Sequence, residues 1–385
     1  MKLPSVLFTS HSPAISGAEV VLLELLEQGT GASAFVFQPG PLADALTARG
    51  VSVTASRWGG RLGSVKRDRS LLRALPLAWP IAAIVVELAR LARRYDIVYA
   101  NSQKAFILSA IATAVSKRPL IWHLHDIPDR SHFGAAQLRL QVALANRRAA
   151  RVVVPSRAVA DGFIAAGGRA DLVRIVPNGV TAREAGDLAS GAALRAMLGL
   201  RPGPVIGVFS RLAAWKGQHV VLRALATLPD VSLVVAGDAL FGEEAYAAHL
   251  RYLAEELGVA DRVFFLGQRS DVAELMRAVD IVVHPSTSPE PFGLTIVESM
   301  FAGTPVVATA IGAVPDILDG GAAGTLIAPG DSDALADAIE HLLSHPAERQ
   351  AKTALALQRA KDHYTAKRMR SLIFGLIGGV GIEAS

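Results

Sequence analysis

Pro289-Glu290-Pro291-Phe292-Gly293-Leu294-Thr295-Ile296-Val297-Glu298 holds two carboxylates eight positions apart, and the residues on either side of them decide the fold. Upstream, Asp280-Ile281-Val282-Val283-His284-Pro285 is a short apolar run closed by a proline, the pattern of a strand buried on both faces in a parallel sheet. Downstream, Leu294 to Ala302 reads as a helix, with Pro291 and Gly293 near its start and Gly303 just past its end. Glu290 then lies on the loop and Glu298 about one turn inside the helix, and the two are expected to face one cavity. Between them the backbone N–H groups of Gly293, Leu294 and Thr295 stand at the positive end of the helix dipole, a ready site for a phosphate. Carboxylates beside an anion repel it unless their partners are neutral, so the arrangement suits sugar hydroxyls on either side of a diphosphate. The same two acids would also serve as ordinary carboxylates flanking a helix start.

Along the rest of the chain, short apolar runs alternate with helical stretches. Strands are expected near 5–9, 34–37, 51–53, 97–99, 120–124, 152–154 and 173–176, then near 205–209, 233–236, 263–266, 281–284, 306–308 and 325–327. Helical patterns at 218–228, 243–257, 271–278, 294–302 and 331–344 fill the gaps in the second half. Such alternation calls for parallel sheets covered on both faces, an α/β fold. A chain of 385 residues is long enough for two domains with separate cores. Residues 181–200, rich in Ala, Gly and Leu, are expected to be the passage between them.

Three further stretches carry candidate chemistry. Ser210-Arg211-Leu212-Ala213-Ala214-Trp215-Lys216-Gly217 follows the apolar run Val205 to Phe209, so a cation at a strand end and another five residues on can converge on one diphosphate. Two basic residues in a loop would otherwise be solvated surface. After the first strand comes Ser16-Gly17-Ala18-Glu19, where Gly17, lacking a Cβ, permits close backbone approach to a ligand or merely makes a turn. Leu120-Ile121-Trp122-His123-Leu124-His125-Asp126 ends a strand in two histidines that alternation puts on the same side, one packed under the other. His-x-His also raises a metal, but the chain has no cysteine and no third ligand is evident, so none is expected. Val176-Pro177-Asn178-Gly179-Val180 is a turn, and Gly267-Gln268-Arg269-Ser270 is a loop after a strand.

The E-x7-E spacing with Phe-Gly after the first glutamate, joined to Arg211 and Lys216-Gly217, resembles the retaining glycosyltransferases of family GT4. The resemblance implies the GT-B fold: two facing Rossmann-like domains with parallel sheets and an interdomain cleft. It implies an acceptor-binding domain over 1–180, a nucleotide-sugar-binding domain over 200–362, and a last helix, about 364–380 and sought from Tyr364 to Ile377, crossing back onto the first. It assigns catalysis to Glu290, His125, Arg211 and Lys216, with Glu290 meeting the transferred sugar, Glu298 the ribose, and Arg211 and Lys216 the diphosphate. Gly17, Gln268, Arg269, Phe292, Gly293, Leu294 and Thr295 complete the donor contacts, those of Gln268 and Arg269 lying beside the base. Where the family often has two glycines, this chain has Ser16 before Gly17. The implied reaction moves a hexose-type sugar from a nucleoside diphosphate, UDP favoured over GDP-mannose, to a hydroxyl of a lipid-linked or saccharide acceptor, without cofactor or metal, as in bacterial surface polysaccharide or glycolipid synthesis. The alternatives are an epimerase acting on nucleotide sugars on the same fold and a noncatalytic subunit that binds them, though the glutamate pair and the Arg211 and Lys216 clamp match the transferases.

Charge places this chemistry in the cell. Residues 1–180 carry 22 Lys and Arg against 11 Asp and Glu, net +11, while the remainder carry 17 against 23, net −6. Residues 57–73 hold Arg57, Arg61, Lys66, Arg67, Arg69 and Arg73 against the single acid Asp68, just before the apolar run Ala74 to Val86, which is too short to span a bilayer and contains Pro76 and Pro80. A cationic loop beside an apolar helix suits an anionic membrane surface, through Arg61, Lys66, Arg67 and Arg69, or is a solvated basic face. A pI near 9.6 without a recognition helix or RNA-binding motif does not point to nucleic acid. The start has no apolar run of signal-peptide length and cysteine is absent, so the expected location is the cytoplasm, peripheral on the inner face of the cell membrane.

Overall fold

The computed structural model describes residues 4–26, 31–61, 75–129, 134–182, 194–240 and 242–383. The chain divides into two compact units, Met1–Gly179 with Ala366–Ser385, and Val180–Thr365, so it passes from one to the other after Gly179 and again after Thr365.

The first unit is a seven-stranded parallel sheet in the order β3-β2-β1-β4-β5-β6-β7. Its strands are β1 Val6–Ser10, β2 Ser33–Val36, β3 Ser52–Ala55, β4 Ile97–Ala100, β5 Leu120–His123, β6 Ala149–Val154 and β7 Val173–Ile175. Helices α1 Gly17–Leu25, α2 Pro41–Ala48, α3 Leu75–Ala92, α4 Gln103–Ser116, α5 Ala135–Arg148 and α6 Arg157–Ala165 connect them. The apolar runs of the strands explain the core: Leu7, Val98, Leu120, Trp122 and Val152 are fully buried, and Trp122 stacks on Phe106 of α4 at 4.1 Å between ring centroids. The helix expected around Ala74 to Val86 runs on to Ala92, with Ile84 and Leu88 buried and Trp79 and Val86 exposed. Among the described residues no helix is long and apolar enough to cross a membrane.

The second unit repeats the plan with six parallel strands in the order β10-β9-β8-β11-β12-β13. These are β8 Val205–Phe209, β9 Ser232–Ala236, β10 Val263–Gly267, β11 Ile281–His284, β12 Val306–Thr309 and β13 Thr325–Ile327. Its helices are α7 Gln218–Ala226, α8 Glu244–Glu256, α9 Val272–Ala278, α10 Leu294–Ala302, α11 Val314–Ile317, α12 Ser332–Ser344 and α13 Pro346–His363. In both sheets the strand order reverses beside the first strand, at β1/β4 and at β8/β11, and there the loops leaving adjacent strands diverge and open a crevice. The α/β class and parallel sheets expected from the sequence are thus what the chain adopts.

Two expectations need correction. No helix was expected over Pro346–His363; it buries few residues, Ala356 and Ala360 among them, so its pattern carries little apolar signal. Tyr364 was expected to open the returning helix, but it is 6% exposed in the second unit, edge-on to Phe292 at 5.8 Å. The returning helix, α14, spans Ala366–Glu383. Met369, Ile373, Ile377 and Val380 fall on one stripe of α14 and are buried in the first unit, where Arg370 donates to the Glu24 carbonyl at 2.8 Å. The 181–200 passage lies largely outside the described residues.

Candidate functional site

At the β8/β11 reversal two loops meet. After β8 the chain makes a single turn of 3-10 helix at Ala214–Lys216 and enters α7 through Gly217, whose φ of 73° is left-handed. An added Cβ there would lie 1.9 Å from the Pro285 carbonyl oxygen, so only glycine lets this loop approach the one leaving β11. The two are tied by the Thr287 N–H donating to the Trp215 carbonyl at 2.8 Å. On the far side of Glu290, Gly312 has φ of 64°, and a Cβ on it would sit 2.3 Å from the Glu290 carbonyl oxygen. Glu290 is therefore clamped by backbone on both flanks.

Glu290 is 7% exposed, and three groups converge on a single carboxylate oxygen, Oε2. Lys216 Nζ donates at 2.7 Å, Ser286 Oγ at 3.0 Å, and His284 Nε2 stands at 3.2 Å. Burial alone would push this carboxyl up; the Lys216 ammonium and the His284 ring more than offset it and hold it well below the usual carboxylate range. An ionised carboxylate only accepts, so His284 carries its proton on Nε2 when neutral, and Nδ1 then accepts from the Thr295 hydroxyl at 3.1 Å. Thr295 belongs to the first turn of α10, which Gly293 opens with a φ of 93°. The Glu290 carboxylate and the amino end of α10 are thus joined through one imidazole. Glu290 Oε1 takes no hydrogen bond among the described residues.

Lys216 Nζ also lies 4.2 Å from the centroid of the Trp215 ring, and the Arg211 guanidinium carbon lies 5.4 Å from it. The indole quadrupole attracts both cations of this loop. Glu298 lies farther along α10, partly buried. Phe292 is packed into the core, 4% exposed. Gln268 is exposed after β10, and the neighbouring Arg269 is gripped by Asp271 through two bonds of 2.8 and 2.6 Å. The structure therefore brings Lys216, Glu290 and Thr295 into one network with Arg211 beside it, and gives Arg269 a separate local partner. His284, Ser286 and Trp215 were not singled out in the sequence, because a histidine closing an apolar strand and a tryptophan among alanines carry no spacing signal.

The β1/β4 reversal of the first unit holds a different cluster. His123 and His125 lie on the same side, as alternation requires, with ring centroids 3.9 Å apart. The Tyr99 hydroxyl and His123 Nδ1 are 2.9 Å apart, and His125 Nε2 and Asn101 Oδ1 are 3.0 Å apart. Burial lowers both imidazoles: His123 well below its ordinary value, with His125 adding to the effect, and His125 to about 3. Among the described residues no group of three or more His, Cys, Asp or Glu is placed to hold a metal ion. Gly17 is the exposed first residue of α1, preceded by Ser16, whose hydroxyl bonds Glu19 three residues on and so caps the helix. That is a use for the serine at this point of the loop. Of the cationic patch, Arg61 ends a short turn at Gly59–Arg61, and Lys66, Arg67 and Arg69 lie outside the described residues.

Known proteins resemble the chain over nearly its whole length. Residues 16–179 match the family described as glycosyl transferase 4-like domain, and residues 195–357 match glycosyl transferases group 1. The crystal structure of Anabaena HepE in complex with UDP and glucose is 35% identical, with a TM-score of 0.88, covering 97% of this chain and 99% of that one. Sucrose-phosphate synthase from Thermosynechococcus elongatus shares the fold at 20% identity, with a TM-score of 0.80 over 99% of this chain and 100% of its own. D-inositol 3-phosphate glycosyltransferase of Mycobacterium marinum is 43% identical over 172 residues, 44% of this chain; the match spans only 36% of that relative's length.

Proposed function

The chain belongs to the GT4 family of glycosyltransferases and has the GT-B fold, and from that premise we propose that it moves a hexose-type sugar from a UDP-sugar to a hydroxyl of a lipid-linked or saccharide acceptor, with retained anomeric configuration. UDP is favoured over GDP as the carrier because HepE, 35% identical, was crystallised with UDP-glucose. The second unit holds the donor and the first receives the acceptor. The bond from the anomeric carbon to the diphosphate oxygen breaks, its electron pair leaving with the diphosphate. The acceptor hydroxyl oxygen bonds the same carbon and passes its proton to a phosphate oxygen of the departing group. No metal or cofactor is assigned a role.

The observation that carries this reading is the convergence on Glu290 Oε2. Three donors hold that oxygen, and Oε1 is left to accept from the hydroxyls of the transferred sugar, so Glu290 positions the sugar rather than attacking it. Lys216 has three N–H donors and can keep Glu290 while giving another to the diphosphate. Arg211, across the Trp215 face, supplies a second charge to the leaving group, the amino end of α10 at Leu294 and Thr295 faces the phosphates, and Glu298 takes the ribose.

Product analysis tests the reading: UDP- and GDP-sugars are each incubated with and without lipid-linked acceptors and followed by mass spectrometry. Transfer that requires an acceptor is expected. Isomerised donor without acceptor would replace the reading by an epimerase, and unaltered donor in every mixture by a noncatalytic binding subunit. The net +11 of the first 180 residues further favours a peripheral position on an anionic cytoplasmic leaflet, where each nearby Lys or Arg contributes about 1 kcal/mol. Flotation with anionic vesicles is expected to weaken when Arg61, Lys66, Arg67 and Arg69 are neutralised; unchanged binding removes this patch as the anchor. Synthesis of bacterial surface polysaccharide or glycolipid is the setting that such an acceptor implies.

A further inference from the structure

We infer that Asn101 is a positioning residue that fixes the tautomer of His125, so that this imidazole meets its ligand as a hydrogen-bond acceptor through Nδ1. The argument starts from an oxygen that cannot donate. Asn101 is fully buried just past β4, and its Nδ2 donates to the Ala18 carbonyl at 3.0 Å. A backbone carbonyl only accepts, so the amide cannot be turned round without setting two oxygens against each other. Its Oδ1 must therefore face His125 Nε2, 3.0 Å away, and that nitrogen must carry the proton. In a neutral ring the lone pair then resides on Nδ1, for which the described residues provide no hydrogen-bond partner.

The surroundings keep the ring neutral. The titratable groups at this end of the sheet are His123 on β5, Tyr99 on β4, Asp126 after β5, Glu19 on α1 and His11 after β1. His123 lies against the His125 ring and a charge there would face a second imidazole at 3.9 Å. Tyr99 is occupied with His123, Asp126 with Gln103 at 3.1 Å, Glu19 with Ser16, and His11 with Ser102 at 2.7 Å. None of these bonds is to His125. The same amide reaches the first turn of α1, so Asn101 ties the loop carrying Gly17 to the orientation of His125.

The ligand class, a hydroxyl on the transferred sugar or the acceptor, rests on the function proposed above; the tautomer does not. Long-range proton–nitrogen correlation spectra of the 15N-labelled protein, with His125 assigned from His125→Gln, are expected to show Nε2 protonated and Nδ1 bare, unchanged through neutral pH. A protonated Nδ1, or a cationic ring, overturns the inference whether or not the protein transfers sugar. Asn101→Asp supplies the functional arm. A carboxylate beside Nε2 raises the His125 pKa, although its other oxygen then faces the Ala18 carbonyl in place of the donating Nδ2, and below that raised value Nδ1 also carries a proton and becomes a donor. Turnover of this variant should fall as pH is lowered through the new pKa, where the parent is flat, while Asn101→Ala loses roughly tenfold in kcat with a smaller change in donor KM. Transfer by Asn101→Asp with the parental pH profile would leave the glycosyltransferase reading intact and remove the role given to Asn101. If either variant is shown by circular dichroism not to fold, the spectrum of the parent protein still decides.

Discussion

β11 and β5 each deliver histidine to the carboxyl edge of a parallel sheet, and the two edges have been built in opposite ways. Beside β11, His284 joins a buried ion pair, Lys216 with Glu290, whose side chains are 12% and 9% exposed. Beside β5, His123 and His125 are partnered by a phenol and an amide and are pressed toward neutrality by burial. The difference matches the ligand parts assigned to them. A diphosphate needs cations, and cations buried without it need a carboxylate to pair with. Hydroxyls need partners of fixed direction, and a neutral ring whose one proton is committed to Asn101 offers a fixed acceptor at Nδ1. The comparison teaches that a strand-end histidine takes its character from its neighbour: a carboxylate makes His284 part of an electrostatic lock, while an amide holds His125 in one orientation, as the role proposed for it requires.

Removing one member of the lock should give the largest effect, and an unequal one. Lys216→Ala leaves the buried Glu290 carboxylate without its cation, a change of about 3–5 kcal/mol in stability. Glu290→Ala leaves the cation instead, and a flexible lysine stem can carry its ammonium toward water, so about 1–2 kcal/mol is expected and the fold survives. Transfer should fall by roughly a thousandfold in both, through lost charge stabilisation in one and lost sugar positioning in the other. Urea unfolding and turnover with the best UDP-sugar measure the two quantities. The double variant should regain stability over Lys216→Ala alone without regaining activity. Near-normal turnover in Glu290→Ala would take the sugar-positioning role from it.

The two edges were also unequally legible. The thirteen strands among the described residues lie within a few residues of their expected positions; most are buried on both faces and so must be continuous apolar runs, whereas the edge strands β3 and β7 are more exposed. Helix α10 was readable to the residue, since Gly293 and Gly303 punctuate it with left-handed backbone. Glu290, Arg211 and Lys216 stood out by spacing. What the spacing could not convey is that Lys216 and Glu290 pair with each other, that Ser286 and His284 complete the pair, or that Trp215 lies against both cations, since these contacts join residues up to 74 positions apart. At the other edge, Tyr99-Ala100-Asn101-Ser102 has no pattern that marks it as polar machinery; only the pairing of β4 with β5 sets Asn101 beside His125. Tyr364 was misplaced for a related reason: whether an aromatic at a helix start belongs to the unit before or after it depends on which core has room, here that of Phe292.

Acid should separate the edges next. His125 titrates near 3 in the fold against 6.5 for a free imidazole, and His123 is lowered in the same direction. A group lowered on folding binds more protons when unfolded, so the stability it contributes is complete above about 6.5 and is lost as pH falls toward 3. Glu290 behaves otherwise: its carboxyl is held low, so the contribution of the Lys216 pair persists until the pH drops below the ordinary carboxylate value of 4.5. Between those limits the first unit, with its two buried imidazoles, should loosen more than the second, where burial also lowers the half-buried His219. Hydrogen exchange at about pH 5 and pH 7, corrected for intrinsic rates, is expected to show β4 and β5 losing more protection at the lower pH than β8 and β11. Equal loss in both sheets would mean that the histidine cluster is not what couples the first unit to pH.

The smallest effect is expected from a charge outside both clusters. Arg269 was a donor contact on sequence grounds, yet its guanidinium is committed to Asp271 by two bonds, with side chains 30% and 32% exposed. A pair this open to solvent contributes about 0–1 kcal/mol, so Arg269→Ala should barely move the melting temperature. It should also leave UDP affinity within about threefold, because a guanidinium that is already doubly bonded must give up Asp271 before it can bond or stack on a base. Calorimetric titration with UDP reads this directly. A tenfold or greater loss would mean that the guanidinium does exchange partners, and that the second unit reads the base with a side chain as well as gripping the diphosphate with Lys216. Asp271→Ala then sharpens the result: releasing Arg269 from its partner should tighten UDP if the base is its other destination, and should change nothing if the loop meets the base through backbone alone.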